Sequence, residues 1–170
     1  MGVVGNGVYL APSTVTDGGM GLFAGADYQC GEILTEYDGV IISKSAADQV
    51  RSKYQSHNHF IALALGRLTL CGLRDWTNAR GCGGGSFVNH AFHAAKRNAK
   101  FIKVDSVNIR GQPRWPPERY LHWHLDHVAE RYHQIHTTER IFIQATRDIK
   151  CQEEVFVNYG AGYWKNKSEV

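Results

Sequence analysis

A short β-prone run from Val155 ends on Tyr159, and Gly160 follows at once. This order holds a phenol at a strand end where the backbone bends freely, a position from which a side chain can meet a ligand. Asn89 and His90 form a second polar pair, placed behind the glycine-rich stretch Arg80 to Ser86. That stretch lacks the lysine and hydroxyl residue that close a phosphate loop, so it reads as a connecting loop. Gly19 and Gly21 bracket Met20, and a backbone bare of side chains admits a bulky ligand, although two glycines also suit a plain hairpin turn. Tyr37 lies in a β-prone run from Ile33 to Ile42, where a tyrosine is ordinarily a packing residue. Histidines 122, 124, 127, 133 and 136 suggest a metal, but on a helix they divide between two flanks, and His122 and His133 stand about 16 Å apart along the axis. A solvated helix flank is the expectation there, with no metal. Cys30, Cys71, Cys82 and Cys151 form no C-x-x-C pair, which argues against a zinc knuckle or a disulfide framework.

The elements that must position these residues are mostly strands. Ile141, Ile143 and Ala145 alternate with Phe142 and Gln144, the pattern of a half-buried strand, and Arg147, Asp148 and Lys150 make a polar turn before Val155. Val8 to Leu10 and Phe101 to Val104 read as further strands, and His59 to Leu70 as a hairpin broken at Gly66. Ala46, Ala47, Val50 and Tyr54 share one face of a helix over 43–54. Leu121, Leu125, Val128, Tyr132 and Ile135 predict a second helix opened by Pro117 and Glu118.

The 170 residues suit one domain with a real core, and the formal charge of +3 is too small to imply a nucleic-acid surface unless the cations cluster densely, which the linear sequence does not suggest. No stretch is long and apolar enough to span a bilayer, and the N-terminus lacks the pattern of a signal peptide or a myristoylation site.

Read together, Asn89, His90, Ala145, Arg147, Asp148, Ile149, Glu153, Glu154, Tyr159 and Gly160 resemble the C-terminal half of the SET domain, the S-adenosylmethionine-dependent protein lysine methyltransferase module. Its pattern there is an N-H-S tripeptide followed by A-x-R-D-I-x-x-G-E-E, four residues and Y-G. GMGLFA (19–24), GEIL (31–34) and EYDG (36–39) match the family's opening strands in the same order, so the resemblance covers roughly Tyr9 to Trp164. Ala91 stands where the family has serine, and Asn98 falls about three residues later than its counterpart.

The resemblance implies an α+β, mainly β fold of several small sheets, with a knot-like crossing of the C-terminal segment beneath the loop that carries Asn89. It implies one domain over residues 1–170, with a core at 9–164 and a variable insert at 43–80; the helix read near 117–136 falls in an insertion at 105–138 that is longer than a compact SET domain has, and the cysteine-rich zinc segment that often follows the domain is expected to be absent. The implied activity is protein lysine N-methylation, with a histone tail the leading substrate; the alternative is a weak or inactive module that binds peptide or cofactor. Tyr159 and Tyr37 are the implied catalytic residues. Met20, Gly21, Leu22, Asn89, His90 and Trp164 would hold S-adenosylmethionine, while Tyr37, Val157 and Tyr159 would line the lysine channel. A protein or peptide partner is expected, without sequence-specific nucleic acid or membrane, in a nucleus or cytoplasm or as a secreted effector acting in a host nucleus. Glu154 is expected to be structural, its carboxylate bonded to backbone or to a basic side chain.

Overall fold

The computed structural model describes residues 3–4, 7–16, 18–37, 39–54, 60–63, 66–72, 84–105 and 139–161. In chain order the elements are β1 (Val3–Val4), β2 (Val8–Pro12), β3 (Met20–Ala24), β4 (Ile33–Glu36), β5 (Val40–Ser43), α1 (Lys44–Tyr54), β6 (Phe60–Leu63), β7 (Leu68–Cys71), β8 (Asn89–His90), β9 (Ala99–Asp105), β10 (Glu139–Ala145) and β11 (Phe156–Val157). The architecture is mainly β with small sheets, as expected of a SET domain. The predicted helix near 117–136, its histidines, His59 and Trp164 all lie outside the described residues.

The chain divides into two compact units, Met1–Tyr37 with Gly83–Lys103 and Ile141–Val170, and Asp38–Cys82 with Val104–Arg140. In the first, β1, β2 and β3 form an antiparallel sheet in that order, β10 lies between β4 and β9, and β8 pairs in parallel with β11. Leu22, Leu34, Ile143, Ile149, Val155 and Val157 are fully buried in one core. Each such side chain contributes about 1.5–3 kcal/mol by leaving water. The expected alternation in β10 is only partial: Ile141, Phe142 and Ile143 are consecutive and all buried, so both faces of this strand are covered. The single strand expected over Ile33 to Ile42 is divided into β4 and β5, with Tyr37 in the break.

Two turns in this unit answer each other. Asp27 to Glu32 and Asp148 to Glu153 share the pattern D-x-x-C-x-E. The N–H of Tyr28 donates to the Ile149 carbonyl and the N–H of Ile149 to the Tyr28 carbonyl, both at 2.9 Å. The Cys30 N–H donates to Asp148 Oδ1 and the Cys151 N–H to Asp27 Oδ1, again both at 2.9 Å. Glu32 and Glu153 each accept from the backbone three residues back, at Gln29 and Lys150. Gly31 and Gln152 take the same left-handed conformation, with φ of 93° and 71°. Every one of these bonds therefore has a counterpart under exchange of the two turns, a local two-fold arrangement.

In the second unit β7 pairs antiparallel with both β5 and β6, and Gly66, at φ 85°, turns the β6–β7 hairpin. Ser43 Oγ accepts the N–H of Ala46 at 3.1 Å and caps α1, whose Ala46, Ala47 and Val50 are buried. Arg51 and Lys53 in its last turn suit the helix dipole.

Candidate active site

All of the expected site residues that are described lie in the first unit. Tyr159 follows β11, and its ring meets Phe101 of β9 in a stacked arrangement at 6.5 Å and His90 of β8 at 5.4 Å. Tyr37 meets the same Phe101 edge-on at 5.9 Å. Phe101 therefore joins the two tyrosines. Nothing in its local sequence distinguished it from any other strand aromatic; the signal would have been its strand periodicity, which places it on the same side as the buried Ala99.

The backbone supplies the rest of the alignment. A 3-10 turn at Gly85–Phe87 precedes β8, and a Cβ on Gly85 would lie 2.6 Å from the Glu36 carbonyl oxygen and 2.8 Å from Tyr37 Cα. Only glycine lets that loop close on the Tyr37 backbone. The Tyr159 hydroxyl donates to the Val88 carbonyl at 2.6 Å, and the Tyr159 N–H donates to His90 Nδ1 at 3.1 Å. An accepting Nδ1 places the ring proton of neutral His90 on Nε2. Burial, followed by the charge of Arg97, lowers the His90 pKa below its ordinary value of 6.5 and so favours that neutral form.

Glu154 is the hub of the neighbouring segment. It is 4% exposed, and its Oε1 accepts from the Ser13 hydroxyl at 2.6 Å and Asn89 Nδ2 at 3.3 Å. Its Oε2 accepts from both the N–H and the hydroxyl of Thr14, at 2.7 and 2.6 Å. A Cβ on Gly21 would collide with Glu154 Oε1. Gly21 is thus required by a carboxylate packed against β3, a use of the glycine that the sequence did not disclose.

Asn89 Nδ2 also donates to the Met20 carbonyl at 3.2 Å, so both of its protons are directed to β3 and Glu154. Its Oδ1 accepts no hydrogen bond from the described residues. An amide oriented in this way offers an acceptor, which suits the amino group of S-adenosylmethionine. Met20 is half-buried, while Leu22 and Val157 are fully buried and belong to the core against which Tyr159 and Phe101 pack.

Asn98 holds the C-terminal segment in register despite its displaced position in the sequence. It is fully buried. Its Nδ2 donates to the Glu154 carbonyl at 2.9 Å and to Glu153 Oε1 at 3.1 Å, and its Oδ1 accepts the Phe156 N–H at 2.7 Å. Burial opposes the charge on Glu153, but hydrogen bonds from Arg147, the Lys150 N–H and Asn98 outweigh it and leave the carboxyl below its ordinary range. Ala91, in the place of a serine, keeps its N–H on the Val157 carbonyl at 3.3 Å, so β8 and β11 remain joined there. Among the described residues no group of three metal-ligating side chains occurs, and no helix is long and apolar enough to cross a membrane.

With this geometry in place the comparisons are consistent. The SET domain family matches residues 19–160, most of the chain, and the protein belongs to that family. Among solved structures it is similar to a chain of ctPRC2 in an autoinhibited conformation bound to S-adenosylmethionine, with 20% identity and a TM-score of 0.61 over 98% of this chain. It is also similar to a chain of Polycomb Repressive Complex 2 from Chaetomium thermophilum, with 22% identity and a TM-score of 0.59 over 98% of this chain. It spans 17% and 18% of those two chains. These likenesses show the fold. A comparison with curated protein sequences gave no match.

Proposed function

We propose that the protein is an S-adenosylmethionine-dependent protein lysine N-methyltransferase, with a histone tail lysine as the first substrate to test and a nuclear or cytoplasmic setting, including that of an effector delivered into a host. The observation that carries this reading is the convergence of Tyr37, Phe101 and an oriented Tyr159 hydroxyl beside β8, whose Asn89 carries an open acceptor. Bound S-adenosylmethionine supplies an electrophilic methyl group on a sulfonium. Asn89 Oδ1 would accept from its amino group, with Met20, Gly21, Leu22 and His90 around it; Trp164, the other residue expected to hold it, lies outside the described residues.

The aromatic rings then act on the lysine. A free lysine has a pKa of about 10.4 and is protonated at neutral pH, whereas transfer needs the neutral amine. Walls made by Tyr37, Phe101 and Tyr159, above a core that includes Val157, remove water from the ammonium and so lower its pKa. A tyrosine hydroxyl that commits its proton to the Val88 carbonyl acts as an acceptor at any further contact. Such an acceptor would orient the amine and would suit a weak C–H···O contact to an electron-poor methyl. Alignment within about 3–3.5 Å supplies much of the acceleration. The parallel pairing of β8 with β11 supports the proposed knot-like crossing near this loop.

Tyr159→Phe tests this reading. The ring keeps its stacking on Phe101, so calorimetric affinity for S-adenosylmethionine should stay within about threefold, while methyl transfer to a verified substrate falls by about 10² or more, several kcal/mol of lost alignment. Transfer at near wild-type rate would reduce Tyr159 to a packing residue. Absence of transfer by the wild-type chain to any protein of a histone mixture or a cell lysate would leave a binding module instead.

A further inference from the structure

The chain departs from the family spacing between His90 and Asn98, and the added residues are distinctive. From Ser86 to Val104 there are four cations, Lys96, Arg97, Lys100 and Lys103, and no Asp or Glu. The whole chain carries +3, so the rest of it is about one unit negative. The positive charge is gathered in one segment, a cluster that the composition alone did not disclose.

The segment has a definite shape. Ala94–Lys96 is a 3-10 turn, and Arg97 closes the loop by donating from Nε to the Ala91 carbonyl at 2.9 Å and from an Nη to the Phe92 carbonyl at 3.3 Å. Phe92 is 69% exposed and stands edge-on to His90 at 5.0 Å, and His90 lies 5.4 Å from the Tyr159 ring. The loop with Phe92 and Lys96 is therefore one ring removed from the candidate catalytic tyrosine. Along β9, strand alternation places Lys103 on the face of Phe101, which meets both tyrosines, and Lys100 on the opposite face. Lys96, Lys100 and Lys103 are exposed, and none has a carboxylate partner among the described residues.

We infer that Lys96 with Phe92 on one side of the aromatic group, and Lys103 on the other, form a docking surface for a substrate peptide that carries carboxylates flanking its target lysine and an apolar residue near them. This rests on the methyltransferase reading of Tyr159. A lysine entering beside uncompensated cations is repelled, and acidic neighbours in the substrate reverse the sign of that interaction. A nucleic acid is the poorer occupant, because its affinity grows with the number of phosphates neutralised and segment 86–104 offers only four cations, one of them committed to carbonyls and one on the opposite face of β9. A uniformly basic tail lacks the required carboxylates and is expected to be the weaker peptide substrate, so within the histone substrates proposed above the surface favours a segment with acidic residues beside its lysine.

The test uses the full chain and fluorescein-labelled peptides of one length, each with a single central lysine and an adjacent phenylalanine, flanked by glutamates, alanines or lysines. Anisotropy reads binding and tritiated methyl incorporation reads transfer. Two exposed ion pairs, at Lys96 and Lys103, predict about three- to tenfold tighter binding of the glutamate peptide than of the alanine peptide at low salt, with the lysine peptide weakest. Lys96→Glu with Lys103→Glu should abolish or invert that order, and Lys100→Glu, which lies on the other face and changes the charge as much as either single substitution, should alter it less than about twofold. Equal binding of the three peptides, or equal effects of Lys100→Glu and the double variant, overturns the surface. Tighter binding of a labelled oligonucleotide than of the glutamate peptide also overturns it. Glutamate preference in binding without methyl transfer supports the surface and removes the methyltransferase reading; transfer without any flank preference does the reverse.

Discussion

Glu154 and His90 are residues whose protons and lone pairs fix their neighbours. Four donors converge on Glu154: two hydroxyls, the Thr14 N–H and the Asn89 amide. Glutamine in its place turns one acceptor into a donor that faces donors, and the Thr14 N–H cannot rotate away. Glu154→Gln should therefore lower stability by about 1–3 kcal/mol, read as a fall in melting temperature, with less effect on turnover per folded molecule. The opposite balance would move Glu154 into the reaction. Its partners are neutral donors: one is a backbone N–H, as the sequence had suggested, and the other three are uncharged side chains, with no basic group among them. His90 gives a pH signature. Its folded pKa lies below 6.5, so as pH falls through 6.5 the unfolded chain takes up the proton first and stability is lost until the folded pKa is passed. Protonation also removes the Nδ1 acceptor from the Tyr159 N–H. Melting temperature measured between pH 5 and 8 should fall on the acid side more for the wild type than for His90→Asn; parallel curves would show that His90 does not titrate in this way. Glu153, depressed from 4.5, acts only at more acid pH and does not confuse this window.

At the scale of elements, β9, β10, α1 and the β6–β7 hairpin were legible because periodicity and glycine mark them locally, whereas β3 was reached only through its motif. Tyr37, Asn89, His90 and Tyr159 were singled out as candidates by motif alone. The local two-fold arrangement of turns was not, because its pattern D-x-x-C-x-E differs at every intervening position and becomes visible only when reciprocal bonds are seen. Phe101 was missed, and the bonds of Asn98 went unread, for a related reason: Tyr37 in the break after β4 and Phe156 beyond β10 are remote in sequence from them, and no short-range pattern reports a contact at such separation. The buried Asn98 amide makes a sharper prediction than either turn. Asn98→Ala leaves the Phe156 N–H without its acceptor and the Glu154 carbonyl without a donor, at about 1–3 kcal/mol for each buried group. The variant should melt well below Asp27→Ala, whose carboxylate is exposed and paired with Lys150 at the surface. Equal melting temperatures would mean that solvent or a shifted backbone satisfies those groups.

For the whole molecule, the decisive property is that the candidate cofactor and lysine groups belong to one compact unit while α1 and the β5–β7–β6 sheet belong to the other. A ligand that binds only the folded site stabilises it in proportion to the logarithm of its concentration over its dissociation constant, about 2.7 kcal/mol at a hundredfold excess. Amide exchange reports where that stabilisation is felt, because local opening need not involve the whole chain. S-adenosylmethionine should therefore slow exchange at Met20 to Leu22 and at Asn89 and His90, and leave Leu68 to Cys71 of β7 little changed. Asn89→Ala removes the acceptor assigned to the cofactor's amino group together with the amide that holds Met20 and Glu154. It should weaken calorimetric binding by about 1–3 kcal/mol and remove most of the protection at Met20 to Leu22. Undiminished affinity in a folded Asn89→Ala protein would show that this amide serves β3 alone, and the cofactor assignment at that residue would have to be given up.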